Sequence, residues 1–202
     1  MKKLLLLTLI SLTLCSCSNS QGATGESYEI TDIARIEQYN QIAIDAVNKY
    51  FDITIDENLE FTKKALESYM PANDDTDELT YFANIFQASR ALDDLVDGDI
   101  SAYGVVLDAN GVEINGLLVS ILNDNLPIIE FTNEQLIQIS ETFLRKYDLI
   151  EDGDIITHIP AEKEFSSSSQ ITMQQFETTT HKFVIGISTQ YNKVIYFEKV
   201  EK

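Results

Sequence analysis

The chain has 202 residues, with 33 acidic against 14 basic side chains and a net charge of −19. That balance is repelled by nucleic acid phosphates and anionic lipid headgroups, so it excludes nucleic acid as a partner and points to solubility or to basic partner surfaces. Nine Tyr and ten Phe supply a core without Trp, and both cysteines stand together near the N-terminus, leaving the rest of the chain without thiols.

Lys2 and Lys3 precede an apolar run from Leu4 to Leu14, broken only by Thr8, Ser11 and Thr13. A basic start, a short apolar core and small residues after it form a secretory signal. The run falls well short of the roughly 20 apolar residues that span a bilayer as a helix. Around Cys17 the sequence Leu14-Cys15-Ser16-Cys17 resembles a bacterial lipobox, with Leu three positions before the cysteine and a small residue immediately before it. Cys15 is preceded instead by Leu14, which a peptidase favouring small residues rejects. The resemblance implies cleavage between Ser16 and Cys17 and a diacylglyceryl thioether on Cys17. Membrane lipid would then hold the protein through Cys17, facing outside the cytoplasm. The alternative is an ordinary signal peptide cut nearby, leaving a free thiol; a Cys15–Cys17 disulfide would close too short a loop. Loss of Lys2 and Lys3 takes 14 basic residues to 12 against 33 acidic, a net charge of −21.

The expected organisation is a signal peptide over 1–16, a flexible tether over 17–26 and two α+β units over 27–126 and 127–202. The tether contains "SNSQGATGE" (Ser18 to Glu26), which has no large apolar residue and two glycines. In the first unit, Thr31 to Phe51 places Ile33, Ile36, Asn40, Ala43, Val47 and Tyr50 at near-helical spacing, with Ile44 and Phe51 widening the stripe. Thr31 or Asp32 is positioned to cap that helix. "DITIDENLEF" reads as extended or turn-like, "TKKALESYM" as a short helix ending at Pro71, and "PANDDTDE" as an acidic loop. "ELTYFANIF" (Glu78 to Phe86) suits a strand, though Phe82, Ile85 and Phe86 also fit a helix. Ser101 to Leu122 is rich in β-formers and carries Asn110-Gly111, a hairpin turn signal, then Asn115-Gly116, a bulge or further turn.

The second unit repeats the order. Thr132 to Ile150 opens with a capping-box pattern, Thr132 with Gln135, and carries the stripe Leu136, Ile139, Phe143 and Tyr147. "QITMQQF" and "HKFVIGISTQYNKVIYFEKV" follow as strands, the latter a hairpin turning near Gln190 to Asn192. The two helices end alike, "AVNKYFDITIDENL" beside "FLRKYDLIEDGDII". The fold class is therefore α+β: two helix-plus-antiparallel-sheet units, in the pattern of an internal duplication.

Little catalytic chemistry stands out. His158 and Glu162 have helical metal-ligand spacing, but Pro160 between them disfavours a helix, and a solvent-facing histidine is the better reading. His181 reads as a loop or edge residue. Ser166 to Ser169 lacks a Gly-rich elbow and reads as a mobile loop. "DDLVDGD" (Asp93 to Asp99) and "EDGD" (Glu151 to Asp154) offer oxygens for calcium without EF-hand spacing, so no metal, cofactor or catalytic residue is assigned.

A helix, an extended link and a hairpin closing on "KVIYFE" resemble the PepSY and PepSY-like modules of secreted bacterial proteins. "FVIGISTQYNKVIYF" (Phe183 to Phe197) fits their last hairpin, with Asn192 where Gly is usual, and "YGVVLDANGVEINGL" (Tyr103 to Leu117) fits less well. Asn tolerates left-handed backbone, so that departure is mild. The resemblance implies a non-enzymatic binding or regulatory module for an envelope protein, a protease among the candidates. An exposed sheet edge would serve by strand addition, and the last hairpin, with Tyr191, Tyr196 and Phe197, is the candidate surface, although a plain core role for those aromatics is the preferred reading. Two alternatives are a small-ligand-binding lipoprotein with a cystatin-like or NTF2-like curved sheet, and a hydrolase with paired carboxylates.

Overall fold

A computed structural model describes residues 26–56, 61–71, 78–88, 98–108, 110–122, 126–151, 153–160 and 170–202. The expected signal peptide, Cys17 with its expected tether up to residue 25, the expected acidic loop over 72–77, Glu162 and Ser166 to Ser169 lie outside the described residues.

Among the described residues, nine strands and two helices follow in chain order: β1 (Glu26–Glu29), α1 (Ile33–Phe51), β2 (Phe61–Pro71), β3 (Glu78–Ala88), β4 (Ile100–Leu107), β5 (Ile114–Ile121), α2 (Asn133–Lys146), β6 (Thr157–Ile159), β7 (Ile171–Glu177), β8 (His181–Ser188) and β9 (Lys193–Glu201). The fold is α+β, with one antiparallel sheet in the order β1-β2-β3-β4-β5-β9-β8-β7-β6. Each half runs helix, then four strands in a meander. The last strands of the two halves, β5 and β9, pair with each other: Gly116 opposite Glu198, Leu117 opposite Phe197, Leu118 opposite Tyr196.

Both helices lie on the same face of the sheet. α1 packs on β2 to β5 and β9, α2 on β7 to β9. Asp32 is the N-cap of α1, its Oδ1 accepting from the Ala34 N–H at 2.9 Å, which satisfies one otherwise orphaned donor. The α1 stripe buries Tyr39, Ala43, Ala46, Val47 and Phe51, while Ile33 at its start is exposed. Asn40, the polar break in the apolar stripe, accepts from the Tyr103 hydroxyl at 2.7 Å, so the buried phenol has its partner. In α2 both arms of the capping box form between Thr132 and Gln135. Fully buried Ser140 returns its hydroxyl to the Leu136 carbonyl at 2.9 Å, so it costs the core no stranded donor.

Two local expectations change. "TKKALESYM" forms β2 rather than a helix, because eleven residues of it and its neighbours pair with β3. Nine residues make a marginal isolated helix, and long-range pairing overrides so weak a local preference. The Asn110-Gly111 hairpin joins β4 to β5 but not by a two-residue turn. Among the described residues of that turn Gly111 takes a left-handed backbone (φ 70°), and the hydrogen bonds that close it run between Asp108 and Glu113 and between Gly111 and Asp108. Asn115-Gly116 supplies the expected bulge: Val106 faces Gly116 while Leu107 faces Ile114, leaving Asn115 as the extra residue.

Asp108 holds that loop together. Its Oδ1 accepts from the backbone N–H groups of Val112 and Glu113, each at 2.8 Å, and its Oδ2 from the Asn110 amide at 3.1 Å. Partial burial pushes the carboxyl up, but these hydrogen bonds outweigh it and the group titrates below its ordinary value. A lowered native pKa stabilises the fold above the unfolded value of ~3.9, and the contribution disappears as pH falls through the native value. Asp108→Ala is expected to cost about 1 kcal/mol at neutral pH. In urea titrations its deficit should shrink as acid protonates the parent, whereas a constant deficit would assign the loss to packing.

Candidate functional site

The last hairpin was the candidate surface, and the backbone alternation of β9 divides its three aromatics. Successive strand residues point to opposite faces. Phe197 points to the helices and is 0% exposed. Its ring lies 5.3 Å from Tyr50, 6.3 Å from Phe51 and 5.6 Å from Phe143, so it is core and not binding surface. Tyr196 stands half-buried on the opposite face, its hydroxyl donating to Glu198 Oε2 at 2.8 Å. Its side chain runs across Gly186, where an added Cβ would come within 2.9 Å of the Tyr196 Cβ. Tyr191 sits in the turn, its N–H on the Ser188 hydroxyl at 3.2 Å. Asn192 takes the left-handed conformation there (φ 51°), which Asn tolerates better than most residues. β8 pairs with both β7 and β9, while β9 meets β5 only over Tyr196 to Glu198. Tyr191, Tyr196 and Phe197 do not form one surface.

The similar helix endings turn out to meet. Tyr50, at the end of α1, lies 5.0 Å from Tyr147, just beyond α2. Each ring carries the lysine that precedes it: Lys49 at 4.6 Å from the Tyr50 centroid and Lys146 at 4.7 Å from that of Tyr147. Lys146 also donates to the Tyr147 hydroxyl at 2.9 Å, which, with the charge of that tyrosine and of Asp52, raises its pKa. Asp52 and Asp148 then turn the chain away with left-handed backbones, φ 55° and 52°. Lys193 reaches the Asp52 carbonyl at 3.3 Å and its carboxylate at 3.6 Å. Four basic residues, Lys49, Arg145, Lys146 and Lys193, thus gather around two helix C-termini, where the helix dipoles favour cations. The sequence signal for this junction was the repeated Lys-Tyr.

The two histidines lie apart. His158, on β6, is half-buried rather than solvent-facing: its ring lies 5.3 Å from Phe176, and Nε2 is 3.0 Å from Gln174 Oε1. His181 opens β8 opposite Glu201, with Nδ1 2.8 Å from the Thr180 hydroxyl. Among the described residues, no three His, Cys, Asp or Glu side chains gather as metal ligands, and no helix is long and apolar enough to cross a membrane.

One feature had no signal in the sequence reading. The connection from β5 to α2 exposes Leu126 (45%), Ile128 (52%) and Ile129 (40%) in succession around Pro127. It is held against the β8–β9 turn by two hydrogen bonds. The Ile129 N–H donates to the Thr189 carbonyl at 2.7 Å, and the Gln190 side chain to the Leu126 carbonyl at 3.1 Å.

Compared with known proteins, the chain matches no protein-family model, no curated protein and no solved structure.

Phe197→Ala is expected to cost about 3–5 kcal/mol in denaturant unfolding, as truncation of a fully enclosed aromatic ring. Tyr191→Ala, at the turn, should cost under about 1 kcal/mol. Equal losses would remove the distinction between core and turn. A double-mutant cycle on Tyr50→Leu and Tyr147→Leu should give a coupling of about 0.5–1.5 kcal/mol, and additive losses would deny that the helix ends support each other.

Proposed function

We propose that the protein is a lipid-anchored lipoprotein of the bacterial cell envelope, acting as a non-enzymatic binding or regulatory module for an envelope protein. The observation that carries this reading is Leu14-Cys15-Ser16-Cys17 behind a basic start and a short apolar run, which supports acylation of Cys17. Two or more acyl chains hold far better than one, at roughly 0.8 kcal/mol per buried methylene. A Gly- and Ser-bearing tether of eight residues between Cys17 and the α+β domain gives the domain reach without a second anchor.

The PepSY-like resemblance of the last hairpin favours a regulatory partner, with a protease as the leading candidate. Packing between helices and sheet favours a protein partner over the small-ligand alternative. Phe51, Phe143 and Phe197 fill that space near the seam, and Tyr103, Val105, Leu107, Leu117 and Val119 fill it under α1. A curved-sheet ligand site needs room at this same interface.

Mass spectrometry of the detergent-extracted protein is expected to find an N-terminus at Cys17 carrying a diacylglyceryl group, and Cys17→Ala should release the chain from the membrane fraction. An unmodified N-terminus starting elsewhere would overturn the anchor. Crosslinking in native membranes is expected to recover one discrete envelope protein with the anchored chain and to lose it with Cys17→Ala.

A further inference from the structure

We infer that the Leu126–Ile129 segment is the docking surface for a protein partner that presents apolar side chains ringed by Lys or Arg. The inference rests on the anchored-lipoprotein reading above for its choice of a protein over a bilayer.

Three large apolar side chains in four residues stay exposed although the backbone beneath them is fixed by hydrogen bonds to Thr189 and Gln190. A fixed apolar ridge differs from a loose loop, because little further ordering opposes burying it on a partner. Its place in the sheet decides which partner. Chain entry is at Glu26, which pairs with Tyr69 near the Pro71–Glu78 end of the sheet. In the β-ladder that end corresponds to Leu107, Ile114 and Glu201. The ridge lies at the other end, beside Thr189, next to the Ser188–Lys193 pair that opens β9. Eight residues of β9 separate the two levels, about 26 Å at strand rise. The ridge thus lies at the end of the sheet opposite the strand by which the chain enters, clear of the tether and open to other proteins.

The charges select the partner's chemistry. Glu130 adjoins the ridge and is exposed, and Glu134 follows on the first turn of α2. Lys193, the cation beside the same turn, is engaged by Asp52. With a chain net charge of −19, a second copy is repelled while a basic rim is attracted.

The test places one reporter cysteine in the full chain, Ile128→Cys or, separately, Ile155→Cys, and labels it with an environment-sensitive fluorophore in detergent. Ile155 is the right control: it is more exposed than the ridge, at 81%, and stands near Glu151 and Asp154 in the chain, so exposure and nearby acidity alone would give it at least as large a response. The probes are a short alternating Leu–Lys peptide, its Leu–Glu counterpart, and phosphatidylcholine vesicles. The expected result is a saturable blue shift at position 128 with the Leu–Lys peptide alone, weakened by salt. Glu130→Gln combined with Glu134→Gln should weaken half-saturation about fivefold, as for two exposed ion pairs, with thermal unfolding unchanged. An equal shift at position 155, or an equal response to the Leu–Glu peptide, would overturn the inference. A shift with vesicles alone would assign the ridge to the bilayer, and one that grows with chain concentration alone would assign it to a second copy; either overturns it. The unsubstituted chain, labelled in parallel, reports any thiol left at the N-terminal cysteines. Labelling there with a normal response at 128 would sink the anchor alone, and no labelling with silence at 128 would sink the docking ridge alone.

Discussion

The seam between β5 and β9 is the constraint on which the molecule depends. It joins two meanders by three residue pairs, Gly116–Glu198, Leu117–Phe197 and Leu118–Tyr196. Backbone hydrogen bonds over so short a ladder contribute about 0.5–1.5 kcal/mol each. Burying the rings of Phe51, Phe143 and Phe197 beside it contributes about 1.5–3 kcal/mol per side chain, with edge and tilted ring contacts adding to that. The aromatic cluster therefore outweighs the ladder, and the ladder supplies register. Phe197 serves both, since it lies opposite Leu117 in the seam and touches rings from both helices.

Electrostatics contribute less to the fold than burial does. Lys63 with Glu37, Lys202 with Glu177 and Lys193 with Asp52 are surface pairs, and Lys199 with Glu113 is a more buried one. Exposed pairs of this kind contribute about 0–1 kcal/mol each and weaken with salt. What remains is an excess of carboxylates spread over the surface, which sets solubility and attraction to basic surfaces. The local exception is the junction of the helix C-termini, where Lys49 and Lys146 lie on Tyr50 and Tyr147 and offset the converging dipoles.

Legibility in the sequence followed the range of the interaction. Asp32 and the Thr132–Gln135 box were readable because caps are made within one turn. The β4–β5 hairpin was readable from Asn110-Gly111, though its loop is longer than the dipeptide implies, because Asp108 captures the Val112 and Glu113 amides. The Lys-Tyr repeat was visible, but contact between its two copies needed both helices in place. β2 was misread as a helix, since its state is set by β3, and β1 was not foreseen, four residues being too few to carry a period. The Leu126–Ile129 ridge was illegible for the same reason. Its exposure is set by Thr189 and Gln190, about sixty residues away in the chain. By composition alone its apolar run belongs to the core.

Edges decide how such a sheet can meet another protein. Among the described residues the end strands are β1 and β6, and both are poor templates for strand addition. β6 has three residues and is followed at once by Pro160, which has no N–H to give. β1 has four residues, and its Glu29 side chain is exposed. Short, charged or proline-closed edges are how sheets avoid pairing with other chains. The β8–β9 hairpin is flanked by β7 on one side and, over Tyr196 to Glu198, by β5 on the other. Beyond the edges, the Leu126–Ile129 ridge is the one run of consecutive large apolar side chains that the described surface leaves exposed.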